Sequence, residues 1–193
     1  MRFYLGCHQP AWLARLDVPL FVSHRRLAGR RSLPRARTSW ALDSGAFSEL
    51  QQYGRWRTGA AQYAAAVSRY VTEIGSLEWA APMDWMCEPQ VIHGGRVGRV
   101  AFAGTGLSVA EHQRRTVDNY LALRDLAPDL PFAPVLQGWH QDDYLRVADL
   151  YARRDVDLQR EPVVGLGSVC RRQGTAEIAA IVAALAEIGR AHV

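Results

Sequence analysis

Apolar residues in this chain come in short runs, and the runs alternate with stretches of helical spacing. RFYLGC (2–7), PLFVS (19–23) and SWALDS (39–44) read as three strands, with Pro19 tolerable at the first strand position. Residues 58–75 place apolar side chains at helical intervals, and Gly75 stands where a C-cap belongs. A strand is predicted over 77–84. A helix follows over 108–128, opened by the capping pair Ser108 and Glu111 and stopped by Pro128. Strand 132–138, helix 142–156, strand 162–170 and helix 175–189 complete the alternation. Continuous apolar strands between amphipathic helices predict a parallel sheet covered by helices. Two α/β architectures fit, a doubly wound open sheet and a (β/α)8 TIM-barrel type. Six of the eight barrel strands are visible, in a length below the roughly 250 residues usual for that fold. One domain over residues 1–193 is expected.

Composition narrows the class. With 49% hydrophobic and 22% charged residues the chain is globular. No apolar run is long enough to span a bilayer, and the N-terminus lacks a signal-peptide pattern, so a cytoplasmic protein with no membrane partner is expected. Cys7, Cys87 and Cys170 lie far apart, without zinc-ligand spacing, and neither a metal nor a cofactor is expected. His8, His93, His112 and His140 read as surface residues. All 23 basic residues are arginine, and the formal net charge is +4. Six arginines crowd residues 23–37, SHRRLAGRRSLPRAR, as a phosphate-contacting loop or a solvated one. In that loop Arg25, Arg26, Arg30 and Arg31 are the candidate contacts to a nucleic-acid backbone.

In α/β folds ligands bind beyond the carboxyl ends of the strands. There the sequence places Asp43-Ser44-Gly45, Asp84, Gln137-Gly138 and Gly165-Leu166-Gly167-Ser168. Carboxylates, a carboxamide and glycine-lined backbone suit the edge of a flat heterocycle with N–H and C=O groups, such as guanine or a 7-deazaguanine. Phe47, Trp85, Met86 or Trp139 could cover its faces, and Asp43 could serve as general acid/base. The plainer readings are a helix N-cap at Asp43, a turn acid at Asp84, a core amide at Gln137 and packing glycines.

These residues carry a resemblance. ALDSGAF resembles the DSGG(F/Y)Q motif of tRNA-guanine transglycosylases, and APMDWMCEP the segment with their second base-contacting aspartate. PVLQGW and VVGLGSVCRRQGT resemble their QG and glycine strands, in the same order, over nearly the whole chain. The details are most similar to the phage and actinobacterial branch, which includes enzymes inserting 7-deazaguanine derivatives into DNA. The resemblance implies a TIM barrel and a pentosyltransferase that exchanges guanine for a 7-deazaguanine base in nucleic acid, DNA favoured over tRNA. It implies acid/base chemistry at Asp43. Base binding falls to Ser44, Gly45, Phe47, Asp84, Trp85, Gln137, Gly138, Gly165 and Gly167, with Ser168 as a further contact and Arg171 on the backbone. Ala46 replaces the second glycine of the family motif. The family's nucleophilic aspartate belongs to a later strand, so the chain reads as C-terminally shortened. An exposed sixth strand would then favour a homo-oligomer or a completing partner chain. Two other readings stay open: a binding remnant without turnover, and an N-glycosidic hydrolase with Asp43 and Asp84 as its acid/base pair.

Overall fold

Successive parallel strands are laid side by side in chain order. The structure, a computed structural model, describes residues 2–169 and 175–186. Strands β1 (Leu5–Cys7), β2 (Leu20–Ser23), β3 (Trp40–Asp43) and β4 (Leu77–Ala80) form one parallel sheet in the order β1-β2-β3-β4. Register pairs Val22 with Leu42 and Ser23 with Asp43, so the ends of β2 and β3 lie level. Beyond β4 a parallel bridge joins Ala80 to Phe132, and β7 (Val135–Leu136) pairs in parallel with β8 (Gly165–Leu166). Among the described residues the order never reverses, unlike that of a doubly wound sheet.

Three long helices follow their strands: α3 (Ala60–Glu73), α5 (Val109–Leu126) and α6 (Gln141–Ala152), and α7 (Thr175–Ala186) comes after β8. Neighbours along the chain pack together, α3 on α5, α5 on α6 and α6 on α7. The expected caps form. Ser108 Oγ accepts the Glu111 N–H at 3.1 Å, and Gly75, at φ 74°, follows the C-cap of α3. Of the predicted helix 175–189, residues 187–189 lie outside the described part.

The last three predicted strands are shorter than expected, and proline is a physical reason. Pro82, Pro131 and Pro134 have no N–H for the ladder, so β4 stops at Ala80, and the run 132–138 pairs only at Phe132 and over β7. Besides a 3-10 turn over Pro10–Ala14, five elements escaped the periodicity. They are α1 (His24–Leu27), α2 (Ala46–Tyr53), α4 (Pro89–His93) and the antiparallel hairpin of β5 (Gly95–Val97) and β6 (Val100–Phe102).

The core lies between the sheet and the helices, with Trp40, Leu42, Val22, Val67 and Leu123 fully buried. Burying each such side chain contributes about 1.5–3 kcal/mol before entropy is charged against it. Buried tyrosines set the helices against the strand ends. Tyr63 of α3 donates to Ala81 O at 2.8 Å, Tyr151 of α6 to Val135 O at 3.2 Å, and Tyr144 of α6 to Gly167 O at 2.9 Å. Each ring fills the core while its hydroxyl meets a carbonyl that would otherwise be left without a partner. Strand-end backbone is thereby fixed where the polar residues gather.

Candidate active site

β3 ends on Asp43, and the chain then turns sharply through Ser44 and Gly45 into α2. Gly45 takes φ 79°, a conformation that strains any residue with a Cβ, and a Cβ there would also meet Arg25 Cγ at 2.8 Å. Gly45 is the N-cap of α2, so Asp43 does not cap this helix. Asp43 is half-buried, and among the described residues its carboxylate has no hydrogen-bond or ion-pair partner. Ser44 is buried. Its Oγ accepts the Ala46 N–H at 3.2 Å and donates to Asp84 Oδ1 at 2.7 Å.

Asp84 rides on a loop, residues 81–88, that is held along its length. Ala81 N–H donates to Leu42 O at 2.9 Å, and Asn119 Nδ2 to Met83 O at 2.6 Å. Trp56 Nε1 reaches Asp84 O at 3.0 Å, and Trp85 N–H reaches Thr116 Oγ1 at 2.8 Å. His112, expected on the surface, is fully buried. Its Nδ1 lies 2.6 Å from Met86 O and its Nε2 2.7 Å from Thr105 Oγ1. Its place follows from helical register: His112, Thr116, Val117, Tyr120 and Leu123 form the buried stripe of α5. His8, His93 and His140 are exposed.

The second oxygen of Asp84 accepts from Gln137 Nε2, and Gln137 Oε1 accepts from Ser168 Oγ at 2.7 Å. Ser168 Oγ also accepts the Cys87 N–H at 2.8 Å and lies 2.9 Å from Glu88 Oε2. A buried chain therefore runs Ser44–Asp84–Gln137–Ser168–Glu88. Ser168 has one proton for two acceptors. With Glu88 ionised and accepting that hydrogen bond, the Gln137 amide can turn over to donate to Ser168 Oγ, and a protonated Asp84 then meets its oxygen. The direction of the amide and the protonation of Asp84 are thus coupled. Burial pushes the Asp84 carboxyl from 3.8 up to about 6; the Ser44 hydrogen bond pulls it down and the Asp43 charge adds to the rise. Glu88 was not anticipated, although Glu88-Pro89 carries a helix-start signal, an acid at the N-cap before proline at the first position of α4.

Glycine at 167 is a matter of space. A Cβ there would come within 2.2 Å of Gln137 Nε2. The N–H groups of Gly165 and Gly167 are spent on Pro134 O and Leu136 O, at 2.8 and 2.9 Å. Gly138 lies close under α6, where a Cβ would meet Asp143 Cβ at 2.8 Å. Gln137 has no exposed surface, so in this arrangement it holds Asp84 in place from beneath. Asp84 keeps lone pairs beyond those that Ser44 and Gln137 occupy.

The family model for DeoxyPurine in DNA protein A, DpdA, matches residues 1–190. The chain belongs to the DpdA family. DpdA proteins are a tRNA-guanine transglycosylase-like family that inserts 7-deazaguanine into DNA, as the strand-end motifs led one to expect. No curated protein matches the chain.

The aromatic and sulfur-bearing side chains expected to cover a base lie on the segments next to Asp43, Asp84 and Gln137. Phe47 is half-buried and meets Phe102 edge-on at 5.8 Å. Trp85 is buried in a satellite cluster with Leu50, Val91 and Phe102, between His112 at 5.4 Å and the Arg115 guanidinium at 4.7 Å. Met86 and Trp139 are half-buried. The arginine-rich segment divides in two. Arg35 caps the end of α3 by donating to Thr72 O at 2.9 Å, and Arg37 pairs with Asp17 at 2.8 Å. Arg25, Arg26, Arg30 and Arg31 are exposed, and the stem of Arg25 lies over Gly45. Arg171 lies outside the described residues. Among the described residues no cluster of three or more His, Cys, Asp or Glu could hold a metal ion, and no helix is long and apolar enough to cross a membrane.

Proposed function

We propose that the chain binds a guanine or 7-deazaguanine base of DNA at Asp84 and exchanges it with Asp43 as the proton carrier. The observation that carries this reading is the pair of unlike carboxylates. Asp84 is buried and oriented from both sides, which suits it to accept from adjacent N–H donors of a heterocycle. Asp43 is half-exposed beside it with no partner among the described residues, which suits a group that must gain and lose a proton.

Base exchange breaks one C1′–N9 bond and forms another. The outgoing guanine takes up a proton at N9, and the incoming 7-deazaguanine gives one up. One acid/base group can carry that proton across, and no net oxidant, reductant or water is consumed. Attack on C1′ is not assigned to a residue of this chain. The target base has to leave its stack to reach strand-end carboxylates. Ser44 and Gln137 orient Asp84, Gly167 leaves Gln137 room to do so, Gly45 turns the chain from Asp43 into α2, and Phe47 offers a ring at the rim. Arg25, Arg26, Arg30 and Arg31 contact DNA phosphates. Strand order without reversal, and helices packed in sequence, support a (β/α) barrel as the scaffold.

The test is incorporation of labelled 7-deazaguanine into duplex DNA, with release of guanine followed in parallel. Asp43→Ala should abolish exchange while leaving binding of the free base. Persistent exchange in that variant would remove the acid/base role. Guanine release without incorporation would replace exchange by hydrolysis.

A further inference from the structure

The hairpin of β5 and β6 stands almost wholly exposed among the described elements. All residues from Gly95 to Ala101 are exposed, and the turn is made by Gly98, at φ 59°, and Arg99. Its pairing, Gly95 with Phe102, Arg96 with Ala101 and Val97 with Val100, puts Val97 and Val100 on the same face as Phe102. Phe102 is buried in the satellite cluster; Val97 and Val100 continue its apolar face outward and stand 58% and 43% exposed. Arg96 and Arg99 have no partner among the described residues, and no acidic residue occurs between Glu88 and Glu111.

An isolated hairpin with three residues per strand is marginal in water, so its shape has to be imposed at the stem. Gln51 Nε2 donates to Ala101 O at 2.8 Å and Gln51 O accepts the Ala103 N–H at 2.9 Å. Thr105 N–H donates to Val91 O at 3.0 Å. Gly94 and Gly104 cross so closely that a Cβ on Gly104 would meet Gly94 N at 2.8 Å. These anchors belong to the two elements that frame the candidate site. Gln51 lies on α2, which begins beside Asp43. Thr105 contacts His112, which holds Met86 in the Asp84 loop. The hairpin is therefore fixed to the rim while its tip stands free.

We propose that this hairpin grips duplex DNA beside the target nucleotide, Arg96 and Arg99 on phosphates and the Val97–Val100 pair against the bases. The inference rests on the base-binding reading for its location. Charge complementarity argues for nucleic acid as the occupant, since a two-stranded ribbon with two unpaired guanidinium groups and no acid matches a phosphate-lined groove. The exposed apolar pair at the tip offers a surface that can press against a base step, as apolar wedges do.

The experiment uses the whole chain and two double variants, Arg96→Gln/Arg99→Gln and Val97→Ser/Val100→Ser. Binding to a labelled duplex is followed by fluorescence anisotropy across salt concentrations, and free 7-deazaguanine binding by calorimetry. The arginine variant should flatten the slope of log K against log[salt] by about 1.8, two phosphate contacts at about 0.9 each. The valine variant should keep the wild-type slope and lose about tenfold in duplex affinity. It should also lose the fluorescence rise of a 2-aminopurine placed beside the target. Both should bind the free base as the wild type does and melt at the same temperature. An unchanged slope in the arginine variant overturns the proposal. So does a loss of self-association in the valine variant, which would make a second copy the occupant. A wild-type chain that binds duplex through the hairpin and ignores the free base would sink the base-exchange reading and leave this one standing.

Discussion

Asp84 should make the protein less stable as pH rises through the weakly acidic range, and Asp84→Asn should remove that dependence. Burial raises the folded-state carboxyl from 3.8 to about 6. Between those values the unfolded chain has released its proton and the folded chain keeps it. Stability from this group is therefore complete below about pH 4, falls as pH climbs to 6, and is flat above. Two pH units at about 1.4 kcal/mol each give a loss of about 3 kcal/mol. That is a substantial part of the roughly 5–15 kcal/mol that holds a domain together. Other carboxylates move the opposite way. Hydrogen bonds from Arg69 lower Glu73, and hydrogen bonds from the His140 and Trp139 N–H groups and Arg146 outweigh burial at Asp143. The difference between wild type and Asp84→Asn isolates the one group. The variant cannot ionise, and the Gln137 amide can turn to offer its oxygen to the new Nδ2. Urea unfolding at pH 4, 5, 6 and 8 should show the variant gaining on the wild type by about 3 kcal/mol over that range. A difference that stays flat from pH 4 to 8 would refute the reasoning.

Three further outcomes are expected. Gly167→Ala drives a methyl into the Gln137 amide at 2.2 Å, so it should cost about 1–3 kcal/mol in urea unfolding and abolish base binding; a variant that keeps both has a site that yields where the packing says it cannot. Affinity for free 7-deazaguanine, measured by calorimetry, should fall about tenfold from pH 8 to pH 5, because only the Asp84 carboxylate can accept from two N–H donors. A flat profile would move base recognition elsewhere. His112→Ala strips a buried ring from two half-buried partners, Thr105 Oγ1 and Met86 O, and leaves a cavity, for a loss of about 2–4 kcal/mol by denaturant unfolding; a loss below about 1 kcal/mol would mean the Asp84 loop is held without it.

Strand-end chemistry was legible because parallel strands are short, apolar and bounded, so Asp43, Asp84, Gln137 and Ser168 could be placed by counting. The depth of each side chain was not. Gln137 is a strand-end amide in one dimension and fully buried in the fold, because Gly167 lets it lie between Asp84 and Ser168. His112 was misplaced because a lone histidine reads as polar, although its register with Thr116 and Tyr120 put it on the buried stripe. Short elements hid for other reasons. α2 starts on a left-handed glycine, and its first-turn side-chain bond runs from the Ala46 N–H to Ser44 Oγ, so the cap read at Asp43 fell short of the real helix start. The β5–β6 hairpin has too few residues for period-two alternation to rise above chance.

The hydrogen-bonded chain through Asp84 also says something about time. Its links join residues 40, 53 and 31 positions apart, from Ser44 to Asp84, Asp84 to Gln137 and Gln137 to Ser168. Contacts of such span form only after the intervening loops have closed, and they weigh on the slow side of folding. Ser44 alone, or Asp84 alone, is an ordinary solvated side chain while the chain is being made. The raised carboxyl and the fixed amide come into being when the β8 segment docks. A half-folded molecule therefore carries no half-built network: the links around Asp84 close only as the late β8 segment joins the earlier strands.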